Sequence, residues 1–161
     1  MLTDYVVIDL EMTGLNAKTD RILEAGAARV RGNVVTATFS EIINPKRELS
    51  EKVISLTGIT NEMAVQGKEM DATLMAFLDF IGEDILVGQN VIFDYSFLKQ
   101  WAVNHKRTFE RNAVDTLKLA RKFLPQEQKK DLASLCSYFG IERVHAHRAL
   151  DDAVSYTHLR A

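Results

Sequence analysis

The chain has 161 residues, 47% apolar and 26% charged, which suits one globular domain that buries its own core without staples. Its single cysteine, Cys136, excludes an internal disulfide and, within "LASLCSYFG", reads as a small buried helix thiol in a reducing cytoplasm. The net charge of −2 excludes nothing by itself, but residues 99–148 hold 11 Lys+Arg against 5 Asp+Glu and the remainder 9 against 17. That split fits a polyanionic ligand beside carboxylate-held cations, and equally fits solvated helix faces.

Met1-Leu2-Thr3-Asp4 carries no basic, then apolar, leader pattern, so no secretory signal is expected. No apolar run approaches the ~20 residues of a membrane span, and no membrane partner is expected. There is no repeat, linker or low-complexity segment, and the only prolines are Pro45 and Pro125. One domain over 1–161 is the expectation.

Residues 5–11 open the chain as a strand, since Val6, Val7 and Ile8 form a β-branched apolar run. Residues 21–31, "RILEAGAARVR", make a second strand, and Gly32-Asn33 turns the chain back into a third, "VVTATFSEII". The texture then becomes helical. Ser50 caps a short helix through "EKVISLTG", and Asp71 is the expected cap of "ATLMAFLDFIG", with Leu74, Phe77, Leu78 and Ile81 at helical spacing. "DILVGQN" is a short buried strand, followed by the helix "DYSFLKQWAVNH". "NAVDT" is a fifth strand leading into "LKLARKFL", and "KDLASLCSYFG" and "HRALDDAVSYTHL" are the last helices. A meander followed by strands alternating with helices gives an α/β three-layer domain with a mixed five-stranded sheet flanked by helices.

The first strand runs straight into Asp9 and Glu11. Residues two apart in a strand share a face, so both carboxylates point the same way. Like charges that close raise each other's pKa unless a positive group lies between them. A divalent cation is the simplest such group, and hard oxygen ligands suit Mg²⁺ or Mn²⁺; a solvated strand end is the bland alternative. Asp94 follows the short apolar strand at the start of a helix, where a carboxylate serves as a cap or, at a strand-to-helix crossing, as part of a ligand site. In "VHAHRALDDA", His147 precedes Asp151 and Asp152. A histidine among carboxylates can act as a general base near neutral pH. Ideal helical spacing favours Asp151, at i+4, as its neighbour; Asp152 lies about 140° further round.

Taken together, "DLEMTG", "VGQNVIFDYSFL", "DTLKLARKFLP" and "HRALDDA" resemble the DEDDh branch of the DnaQ-like 3′→5′ exonucleases, from about Tyr5 to Ala153. The resemblance implies a ribonuclease H-like fold and an active site of Asp9, Glu11, Asp94, His147 and Asp152. The family's last motif is a histidine, four residues and an aspartate; it selects Asp152 where helical spacing favours Asp151. By the same resemblance the four carboxylates hold two divalent cations, Mg²⁺ or Mn²⁺, His147 is the general base, and nucleoside 5′-monophosphates are released. Thr13, Gly14 and Leu15 line the pocket of the 3′-terminal nucleotide, and Asn90 orients the second motif at the substrate. Phe97 reads as core.

"DLEMTGL" is also similar to oligoribonuclease, which would make short RNA the substrate. "INPKRELSEKVISLTGIT" and "DLASLCSYFGIERVHAHRALDDA" are more similar to the proofreading exonuclease of bacterial DNA polymerase III. The favoured expectation is therefore single-stranded DNA 3′ ends over RNA, with a DNA polymerase subunit as partner. A non-catalytic nucleic-acid- or polymerase-binding module of the same fold is the alternative from another class, and a ribonuclease H-like endonuclease or integrase a third. "VSYTHLRA" departs from the family's regular apolar stripe, so the last helix is expected to be truncated or atypical after about residue 154.

Overall fold

The computed structural model describes residues 2–140 and Ala149. In chain order these form β1 (Tyr5–Met12), β2 (Ile22–Arg31), β3 (Val34–Ile42), α1 (Glu51–Thr57), α2 (Asn61–Val65), α3 (Met70–Ile81), β4 (Leu86–Gly88), α4 (Ile92–Asn104), β5 (Ala113–Asp115), α5 (Thr116–Phe123) and α6 (Leu132–Phe139). The strands build one five-stranded mixed sheet in the order β3-β2-β1-β4-β5. β1–β2 and β2–β3 pair antiparallel, and β1–β4 and β4–β5 pair parallel. The expected meander, mixed sheet and flanking helices are all present.

The β2–β3 hairpin turns on Gly32 and Asn33, at φ 54° and 70°. Two consecutive left-handed residues match the twist of the flanking strands, and Gly and Asn adopt them at least cost. Side-chain parity then divides the sheet. Val6, Ile8 and Leu10 of β1 share one core with Leu74, Phe77 and Ile81 of α3 and Phe97, Leu98 and Trp101 of α4. Tyr5 and Val7 join Val30 and Val87 on the opposite face, where Leu132 of α6 packs. Asp9 and Glu11 continue the parity of Tyr5 and Val7. Alternation along β1 thus aims both acids to the α6 side. Phe97 is 3% exposed and belongs to the core, as expected.

The helix starts correct the reading in one place. Ser50 caps α1 through a 3.3 Å bond from the Val53 N–H, as expected. At α3, however, Glu69 is the cap, accepting from the Ala72 N–H at 2.8 Å. Asp71 lies inside the first turn and accepts instead from Trp101 Nε1 at 2.9 Å. The short helix α2, capped by Thr60, has too few residues to show a period in the sequence. Cys136 is buried in α6, and among the described residues no helix is long and apolar enough to cross a membrane. The final helix, "HRALDDAVSYTHL", lies outside the described residues except for Ala149, which is helical and buried.

Asp71 also receives His105 Nε2 at 3.1 Å, so the end of α4 is tied to the start of α3. The Trp101 carbonyl, bonded to Nδ1, and then Asp71 hold His105 above its ordinary value of 6.5. Its folded pKa exceeds its unfolded one, so its contribution is complete below about pH 6.5 and is lost as pH rises through the folded value. Urea midpoints measured from pH 5.5 to 8 should fall across that window, and His105→Ala should flatten the fall. A slope unchanged in the variant would remove His105 as its source.

Candidate active site

β4 is short, and this builds the site. β1 and β4 pair only at Val6–Leu86 and Val7–Val87. Beyond that point the side of β1 facing α4 has lost its partner strand, and buried backbone N–H groups need another acceptor. Asp94, third residue of α4, supplies it by accepting from the Leu10 N–H. The residue before α4, Val91, makes no side-chain cap. Asp94 therefore does not serve as the cap that was its bland alternative, but faces β1 from the first turn of α4.

Asp94 is 5% exposed. Burial raises its pKa well above the usual carboxylate range, and the nearby charges of Glu11 and Asp115 push the same way. The Leu10 N–H opposes them without cancelling them. This donor set fits a hard divalent cation, which would supply positive charge where carboxylates crowd a dry pocket. Asp9 and Glu11 are partly exposed on β1. Across the ladder Asp9 faces Gly26, which brings no side chain, while Glu11 faces Glu24.

The strand-to-helix crossing is held from β5. Asp115 caps α5 through the Leu117 N–H at 2.9 Å and accepts from the Asn90 N–H at 3.0 Å. Asn90 itself sits at φ 58°. Thr116 Oγ1 donates to Gln89 Oε1 at 2.6 Å, and Gln89 Nε2 donates to the Lys130 carbonyl at 2.7 Å. Asn90 is thus held at its N–H by Asp115 and at its carbonyl by the Phe93 N–H, with an exposed side chain.

The loop after β1 is closed at its base. Thr13 N–H bonds to the Arg21 carbonyl at 2.9 Å, and the Arg21 N–H returns to Thr13 Oγ1 at 3.0 Å. Asp20 Oδ2 accepts from the Asn16 N–H at 2.9 Å. A Cβ on Gly14 would lie 2.4–2.7 Å from the Asp20 carboxyl atoms, so the loop's own packing asks for glycine there. Leu15 stands at the apex, 81% exposed.

The structure therefore brings Asp94 to Glu11, sets Asp9 on the same strand face, and places Thr13, Gly14 and Leu15 on the adjoining loop. His147 and Asp152 lie outside the described residues, as does Asp151. Among the described residues no three His, Cys, Asp or Glu side chains converge on one cation site. Two acids escaped the sequence reading. Asp115 lay within the expected strand "NAVDT" and drew no separate reading. Glu24 is fully buried on β2, and its signal was a lone acid inside the small-residue strand "ILEAGAARV".

Asp9, Glu11 and Asp94 thus gather where β1 meets the start of α4, and comparison with known proteins gives the class. The exonuclease family model RNase_T matches residues 6–158. The chain belongs to this exonuclease family. It is 37% identical over 150 residues to the DNA polymerase III subunit epsilon of Aquifex aeolicus, covering 92% of this chain and 74% of that protein. To the PolC-type DNA polymerase III of Bacillus subtilis it is 38% identical over 160 residues, covering 96% of this chain and 11% of that protein. The chain spans about a tenth of the length of its PolC-type relatives. Among solved structures, the zinc-bound E. coli exonuclease I–single-stranded DNA complex superposes with TM-score 0.83 at 18% identity, over 98% of this chain and 39% of that one. Exonuclease X with 5′-overhanging duplex DNA gives 0.75 at 22% identity, over 96% and 87%. These two likenesses establish the fold.

Proposed function

We propose that the chain removes nucleotides one at a time from the 3′ ends of single-stranded DNA, as a proofreading or repair exonuclease. The observation that carries this reading is the buried Asp94 carboxylate, fixed by the Leu10 N–H beside Glu11 at the open end of the sheet. A dry carboxylate set rigidly against a second acid suits the binding of hard cations better than a structural role, because ionising it unpaired is costly.

In this reading Asp9, Glu11, Asp94 and Asp152 would hold two Mg²⁺ or Mn²⁺ ions, which would supply positive charge to the scissile phosphate. His147 takes a proton from the attacking water. The water oxygen bonds to phosphorus as the P–O3′ bond breaks, and the departing 3′ oxygen ends as a hydroxyl. The products are a nucleoside 5′-monophosphate and a strand shorter by one. Thr13, Gly14, Leu15 and Asn90 receive the terminal nucleotide. A DNA polymerase is the proposed partner, supported by relatives that are themselves polymerase III proteins.

The test is a gel assay on a 5′-labelled single-stranded DNA oligomer and its RNA counterpart, each with Mg²⁺, Mn²⁺ or EDTA. A metal-dependent ladder of one-nucleotide steps, stronger on DNA, is expected. Preference for RNA would move the chain to short-RNA turnover. Binding of single strands by the folded protein without any cleavage would make it a binding module.

A further inference from the structure

We infer that Glu24 is a positioning residue: its buried carboxylate anchors the backbone at Ala149 and so seats the segment that carries His147 and Asp152. The inference rests on the proposed exonuclease reading and deepens it. Glu24 Oε2 accepts from the Ala149 N–H at 3.1 Å, a buried contact across 125 positions of sequence. Both residues are 0% exposed. Glu24 lies third on β2, among the buried Ile22, Leu23, Ala25 and Ala27. A carboxylate is expensive at such a place, so its retention calls for a partner that only an acceptor of that length can meet.

The location gives the contact its meaning. Glu24 stands directly opposite Glu11 in the β1–β2 register. Directly opposed side chains leave the same face of the sheet with Cβ atoms about 5 Å apart. The Ala149 amide is therefore tethered one cross-strand neighbour away from Glu11. His147 precedes Ala149 by two residues and Asp152 follows it by three. Both are therefore joined to the tether by no more than three peptide units of chain. Small displacements of reacting groups cost large factors in rate, so a fixed point inside this segment bears on catalysis while touching neither substrate nor reacting atoms.

Two substitutions separate reach from charge. Glu24→Gln keeps the length and an acceptor oxygen but loses the charge. Glu24→Asp keeps the charge but withdraws it by one methylene. Kinetics on the single-stranded DNA oligomer should show kcat at least tenfold lower in Glu24→Asp, with KM within twofold, and Glu24→Gln within threefold of wild type on both. Amide exchange followed by NMR should show Ala149 exchanging at least tenfold faster in Glu24→Asp and as wild type in Glu24→Gln, with the β1 amides unchanged in both. The reverse order, Asp near wild type and Gln impaired, would mean that the charge matters and would overturn the anchor. Equal kcat in all three proteins would overturn it too. Should Glu24→Asp not fold, the wild-type protein still decides: a through-hydrogen-bond scalar coupling between Ala149 ¹⁵N and Glu24 ¹³Cδ is expected, and its absence together with fast Ala149 exchange overturns the anchor. If wild type cleaves no 3′ end, the exonuclease reading falls by itself, while the exchange and coupling data still judge the tether.

Discussion

Replacing Asp9 by alanine should lower the cleavage rate by about 10³-fold or more while the protein stays folded. The magnitude follows from the role. A carboxylate that holds a catalytic cation secures several kcal/mol of transition-state stabilisation, and about 4 kcal/mol corresponds to roughly a thousandfold in rate. Structure argues against a general collapse. Asp9 is partly exposed, and its ladder partner Gly26 has no side chain to be left without a neighbour. The thermal midpoint should therefore show the variant still folding cooperatively at the assay temperature. The gel ladder measures the first effect and a melting curve the second. If more than a tenth of the activity survives, Asp9 holds no essential cation and the acid assignment must shift along β1.

The largest effect on stability is expected at Phe77. It is 0% exposed on α3 and meets the edge of Phe39 of β3 at 5.3 Å between ring centroids. It also shares the core that contains Ile8 and Leu10 of β1. Phe77→Ala should cost about 3–5 kcal/mol, combining lost transfer energy with the cavity left behind. Domains of this kind hold about 5–15 kcal/mol in total. The variant should therefore unfold at much lower urea concentration, with the slope of its transition unchanged. A loss below about 1.5 kcal/mol would mean that α3 closes onto the sheet without the ring, and that its packing is looser than the contacts describe.

Local chemistry made much of this fold legible in the sequence. Gly32-Asn33 declared the hairpin because few residue pairs tolerate two left-handed conformations. Ser50 marked its helix start through a short-range bond to the N–H group three residues on. Asp9 and Glu11 were readable as a pair because strand parity needs no tertiary information. The misreadings are tertiary in origin. Asp71 has the composition of a cap, but Trp101 and His105, thirty and more residues away, claim its carboxylate and leave the cap to Glu69. For Asp94 the sequence offered a cap only as the bland alternative, and its approach to Leu10 of β1 was hidden because it joins elements far apart in the chain. Glu24 passed unnoticed because its bond to Ala149 spans most of the chain.

The bond from Leu10 to Asp94 has a last consequence, for how the pocket behaves during turnover. A carboxylate on a free loop can swing after a moving charge, and each swing adds reorganisation to the barrier. Asp94 is instead buried at the start of α4 against β1, with the Leu10 N–H facing its carboxylate, so its surroundings favour one orientation. Such fixed polarity is what lets a site stabilise charge as it develops.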